Sequence, residues 1–113
     1  LKRFLRHLDI PNNQLRKLND YQFSNLFNLE SLNLNNNFLV EINNLTFYNL
    51  INLKYLFLSF NRLISIEANS FQSLRSLNTF LMLENTVEIL SDTTFSKTIN
   101  VRSLSFEKNN IQL

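Results

Sequence analysis

Leu5, Leu29, Leu53, Leu77 and Val101 stand 24 residues apart, with no insertion or deletion between them. A fixed period of this size constrains the chain more than any other feature. One unit so short cannot enclose an apolar core alone, so each must bury its hydrophobic side against its neighbours in a stacked array. Such an array makes an extended surface, and binding is a more natural expectation for it than catalysis.

Counting each repeat from its first apolar residue, apolar side chains recur at slots 1, 4, 6, 11, 14, 19 and 22, with Asn at slot 9. The units are 5–28, 29–52, 53–76, 77–100 and a partial fifth at 101–113. The third repeat is typical, with Leu53, Leu56, Leu58, Asn61, Leu63, Ile66, Phe71 and Leu74. Thr98 breaks the pattern where slot 22 calls for Leu. The chain opens on Leu1 and stops part-way through a repeat, which reads as a segment cut from a longer array, without terminal caps.

Slots 4 and 6 alternate with polar positions, the period of a β-strand, and each strand is too short to stand alone. Parallel pairing between successive repeats is therefore expected, with the bulkier connecting segments on the longer, convex side. The Asn at slot 9 turns the chain out of the strand, and an enclosed carboxamide needs hydrogen-bond partners. Asn13, Asn37, Asn61, Asn85 and Asn109 are accordingly expected to form a buried structural column. Phe23, Phe47, Phe71 and Phe95 form a second column, placed to fill the space behind the convex side.

The pattern LxxLxLxxNxLxxIxxxxFxxLxx, as written from Leu53 to Ser76, resembles the 24-residue class of leucine-rich repeat with a phenylalanine spine. The segment LFLSFNRL, Leu56 to Leu63, resembles the repeats of Toll-like receptor ectodomains. The resemblance implies an α/β horseshoe solenoid with a parallel concave sheet and an irregular or short-helical convex side. It also implies an extracellular or cell-surface setting and a protein ligand, as part of a receptor or adhesion ectodomain. A structural matrix or scaffold protein and an accessory binding domain of a larger enzyme stay open as alternatives.

Composition narrows the other classes. The net charge is +2, and the basic residues are scattered apart from Lys2, Arg3, Arg6, Arg16 and Lys17. Glu30, Glu41, Glu67, Glu84, Glu88 and Glu107 interrupt any basic stripe, so a phosphate-tracking nucleic-acid surface is not expected. No apolar run is long enough for a membrane span, and no membrane contact by this segment is expected. With one His, no Cys and no Gly, neither a metal site nor a phosphate-cradling loop is foreseen, and no cofactor is expected. His7, Ser31 and Asp9 fall on one face but lack the strained nucleophile, oxyanion hole and pocket of a catalytic triad, so no enzyme activity is expected.

Asn44-Leu45-Thr46 is a sequon for N-glycosylation on the convex connection, although chance alone supplies such triplets in a chain this rich in Asn, Ser and Thr. The outward slots 3, 5 and 7 are polar in the first two repeats and change character in the next two. There they carry Tyr55, Phe57, Leu81 and Leu83, with Phe60 at slot 8. Exposed apolar side chains in one place mark a candidate partner site. Against that, Phe60 sits at a slot that such repeats fill with Phe for packing, and a strand slip would turn Leu81 and Leu83 inward.

Overall fold

A computed structural model describes residues 2–98, 100–109 and 111. After a short 3-10 turn at Lys2–Phe4, three-residue strands recur once per repeat: β1 (His7–Asp9), β2 (Ser31–Asn33), β4 (Tyr55–Phe57), β6 (Thr79–Leu81) and β7 (Ser103–Ser105). They pair in parallel in the order β1-β2-β4-β6-β7. Equivalent residues face each other throughout, His7 opposite Ser31, Ser31 opposite Tyr55, and Phe57 opposite Leu81. The register therefore holds through the fourth repeat, and no slip turns Leu81 around.

The slots foreseen as apolar make the core. In the second and third repeats, Leu29, Leu32, Leu34, Leu39, Leu53, Leu56, Leu58 and Leu63 are fully buried. Their counterparts in the first repeat, Leu5, Leu8, Ile10 and Leu15, are only partly covered. Phe23, Phe47 and Phe71 stack at ring-centroid distances of 6.4 and 6.1 Å. Phe95 lies 5.4 Å beyond Phe71. Phe80 and Phe106 join this end, 5.0 Å from Phe71 and 5.6 Å from Phe95 respectively, so the spine broadens into an aromatic cluster. Thr98 is buried in its leucine slot because its hydroxyl donates to the Phe95 carbonyl at 2.8 Å.

Among the described residues the convex side contains no α-helix. It consists of successive turns, such as Thr46 N–H to Asn43 O and Leu50 N–H to Phe47 O. A second, two-stranded parallel sheet, β3 (Glu41–Ile42) with β5 (Ser65–Ile66), flanks the core. Such two-residue strands leave no alternation to read in a sequence.

Candidate functional site

The backbone that presents the concave face is fixed by two polar ladders. In the first, each slot 9 Asn serves two repeats at once. Asn61 donates Nδ2 to the Leu34 and Leu58 carbonyls, and its Oδ1 accepts the Leu39 N–H at 3.1 Å. Asn37, Asn85 and Asn109 repeat this arrangement, with Oδ1 accepting from Leu15, Leu63 and Val87. Asn37, Asn61 and Asn85 are buried, whereas Asn13 is exposed and Asn109 only partly covered. The expectation of five enclosed asparagines is thus corrected at its first member. Among the described residues Asn13 Nδ2 reaches only the Pro11 carbonyl, at 2.8 Å.

The second ladder runs along slot 7. Asn35 Oδ1 accepts the Ser59 N–H at 2.7 Å, and Ser59 Oγ accepts the Leu83 N–H at 3.0 Å. Ser59 is buried by this role, so slot 7 is not the plainly outward position that strand alternation suggested. Leu83 has no acceptor to offer, and the ladder stops there.

Immediately after it, slot 8 takes a left-handed conformation in every repeat: φ is 59° at Asn12, 57° at Asn36, 58° at Phe60, 55° at Glu84 and 59° at Lys108. The turn directs each slot 8 N–H onto the next repeat's slot 7 carbonyl, as from Phe60 to Leu83 at 2.8 Å. Asn tolerates positive φ better than other non-glycine residues, and a bulky ring there is uncommon. This slot was missed as a backbone feature in the sequence, although Asn12 and Asn36 occupying it were a usable signal.

Upon that frame the candidate residues come together. Phe57 and Leu81 are cross-strand partners, Tyr55 lies two residues before Phe57, and Leu83 two residues after Leu81. Tyr55 is 41% exposed, while Phe57, Leu81 and Leu83 are half-buried. Phe60 is 49% exposed, so it is not packed into the core and instead extends the apolar surface. Beside it, Phe38 and Phe60 line a shallow groove of ≈ 330 Å³ with Asn12, Gln14 and Asn36. The Arg62 guanidinium lies 4.2 Å from the Phe38 ring centroid, a cation–π contact at the patch's edge.

On the opposite flank, slot 2 forms an ionic row. Glu30 meets Lys54 at 3.1 Å and Arg6 at 3.4 Å. The Lys54 hydrogen bond holds the Glu30 carboxyl below its ordinary pKa, helped by the charges of Lys54, Arg6 and His7 and opposed by desolvation. A charged and amide-lined rim therefore surrounds an apolar centre.

The remaining sequence candidates fall elsewhere. His7 and Ser31 are side by side, but no hydrogen bond links His7, Ser31 and Asp9 among the described residues. Asn44 is exposed on a convex turn, its backbone N–H bonded to Glu67. The sequon's Thr46 is buried and hydrogen-bonded to Asn43. No described helix is long and apolar enough to cross a membrane. Sequence reasoning missed a convex group of exposed apolar residues that includes Tyr21, Tyr48 and Ile51.

A parallel sheet of one strand per repeat, an asparagine ladder and a phenylalanine spine define a leucine-rich-repeat solenoid. The chain belongs to the BspA-type leucine-rich repeat family, whose model matches residues 2–113 in 6 copies. This fold is commonly used for protein–protein interaction, and its members are typically binding modules. Comparison with curated proteins returned no match.

Among solved structures, the Toll–Spätzle complex of Drosophila in its glycosylated form superposes with a TM-score of 0.91 at 28% identity, over 97% of this chain and 16% of the other. The leucine-rich repeat domain of APL1B matches with a TM-score of 0.88 at 23% identity, over 92% of this chain and 31% of that one. The Drosophila SNF/U2A′ complex matches at 0.69 and 19% identity, over 93% of this chain and 59% of the other. The last two are likenesses of fold alone. This chain spans less than two thirds of each of these matched structures.

Proposed function

We propose that this segment recognises a protein partner through the concave strands of its third and fourth repeats, as part of a receptor or adhesion ectodomain. Tyr55, Phe57, Leu81 and Leu83 are the contact centre, and Phe60 extends it. The observation that carries this reading is a pair of broken local rules. Leu83 gives up the acceptor that Asn35 and Ser59 supply at the same slot, and Phe60 puts an exposed ring where the first two repeats use Asn at positive φ. Neither side chain can hydrogen-bond the backbone in exchange, and side chains that depart from local preference without structural return gather at functional sites. An apolar centre with a polar rim is also the usual anatomy of an interface.

The likeness to Toll, captured in its complex with Spätzle, supports an extracellular or cell-surface setting. A scaffold or matrix protein is the second reading, favoured by the additional apolar surface on the convex side; an accessory domain of an enzyme has no observation of its own. Photo-crosslinking from the Leu81 position would identify the partner, and its affinity for folded variants tests the site. Phe57→Ser with Leu81→Ser should weaken binding by at least about tenfold, the loss expected of central apolar anchors. An unchanged dissociation constant would remove the concave site.

A further inference from the structure

We propose that the convex face carries a second interaction surface, which takes an acidic polypeptide segment with apolar anchors. Tyr21 and Tyr48 meet edge to face at 5.1 Å, and they remain 50% and 45% exposed. Ile51, on the next turn of the chain after Tyr48, is 46% exposed. These are larger exposures than those of Phe57 or Leu81, and no outer layer of the fold covers them. Such a contiguous apolar group on a soluble surface marks an interaction site.

The apolar group is continuous with a groove of ≈ 370 Å³, which runs from Tyr48 and Ile51 past Gln72 to Arg75 and Lys97. Neither Arg75 nor Lys97 takes part in an ion pair among the described residues. No carboxylate is among the residues that line this groove; Asp20 and Glu67 bond Asn43 Nδ2 and the Asn44 N–H, and Asp92 stands at the start of the connecting segment that carries Lys97. The far end of the groove is therefore cationic, and its near end is aromatic and aliphatic. Charge complementarity selects a partner that offers carboxylates beside a large apolar side chain. A guanidinium and an ammonium at the groove's end would receive the carboxylates, while the anchor side chain seats against Tyr48 and Ile51.

This surface lies on the face opposite Phe57 and Leu81, so it stands or falls independently of the concave site. The test uses a short synthetic peptide with Leu and Phe set between Glu residues, titrated into the isotopically labelled chain and followed by amide shifts. Saturable shifts should centre on Tyr48, Ile51, Ser73 and Lys97 and weaken with salt. Replacing the peptide's Glu by Gln, or the protein's cations by Arg75→Glu with Lys97→Glu, should weaken binding by at least about fivefold. Tyr48→Ser should do the same, and Phe57→Ser should have no effect. Shifts confined to the concave face, binding indifferent to charge reversal, or concentration-dependent self-association through Tyr48 without peptide binding would each overturn the proposal.

Discussion

The first two repeats and the next two share a backbone plan and carry different coats. In the second, third and fourth repeats the slot 9 asparagine closes the same hydrogen bonds, and the leucines and phenylalanines of the second and third are buried alike. Yet the first half presents Ser31 and Asn33 to the concave side and Tyr21, Tyr48 and Ile51 to the convex side. The second half differs, with Tyr55, Phe57, Leu81 and Leu83 inside the curve and Arg75 and Lys97 in the convex groove, although Ile64 and Ile89 are also exposed on its connecting segments. The frame's bonds come from core side chains and from the backbone itself, so outward slots can change polarity without disturbing the stack. Surface chemistry is therefore where the two halves acquire separate roles.

If the frame is the same in both halves, equivalent core deletions should cost the same. Phe47→Ala and Phe71→Ala should each lose about 3 to 5 kcal/mol, because both rings are fully buried between stacked neighbours. Equilibrium urea unfolding measures this. A clear inequality would mean that the aromatic cluster around Phe80 and Phe106 gives the second half a different core.

The asparagine ladder sharpens the comparison at a smaller scale. Asn37→Ala and Asn61→Ala should each cost about 1 to 3 kcal/mol, since each strands buried backbone groups on two repeats. Asn33→Ala should cost less, because its Oδ1 accepts only the Asn35 N–H at a partly exposed position. Equal midpoints for Asn33→Ala and Asn61→Ala would contradict a structural role for the buried column.

The fold was legible because its causes recur: seven apolar slots and one asparagine repeat in phase, and each has one physical job. The concave candidates were legible for the same reason, since equivalent slots become neighbours when strands pair in register. Three features lay outside that logic. Slot 8's positive φ belongs to the backbone and is occupied by Asn, Phe, Glu and Lys in turn, with no glycine to mark it. Ser59 is buried by a hydrogen bond to the following repeat, which strand alternation does not encode. The convex group brings together slots 17, 20 and 23, and only the turn geometry makes Tyr21, Tyr48 and Ile51 neighbours.

At slot 18 the second and fourth repeats share a threonine and differ in what its hydroxyl meets. Thr46 Oγ1 is bonded to Asn43, whereas the buried Thr94 Oγ1 has no partner among the described residues. Thr46→Val should therefore destabilise by about 1 kcal/mol, while Thr94→Val should be neutral or stabilising by a similar amount. Thermal unfolding of the two variants side by side gives the sign. Destabilisation by both would place an unseen partner on Thr94.

The most direct test of the division between frame and coat is the stability of the Phe60→Asn, Leu83→Ser double variant. It installs the Asn that the first two repeats use at slot 8 and the Ser that the third uses at slot 7, giving a side chain suited to positive φ and an acceptor for the ladder. If Phe60 and Leu83 serve recognition, unfolding free energy should stay within about 1 kcal/mol of the parent or rise, since the regained local preferences offset the lost partial burial. A loss of more than about 3 kcal/mol, the scale of a core truncation, would show that both side chains pack the solenoid and would contradict the account.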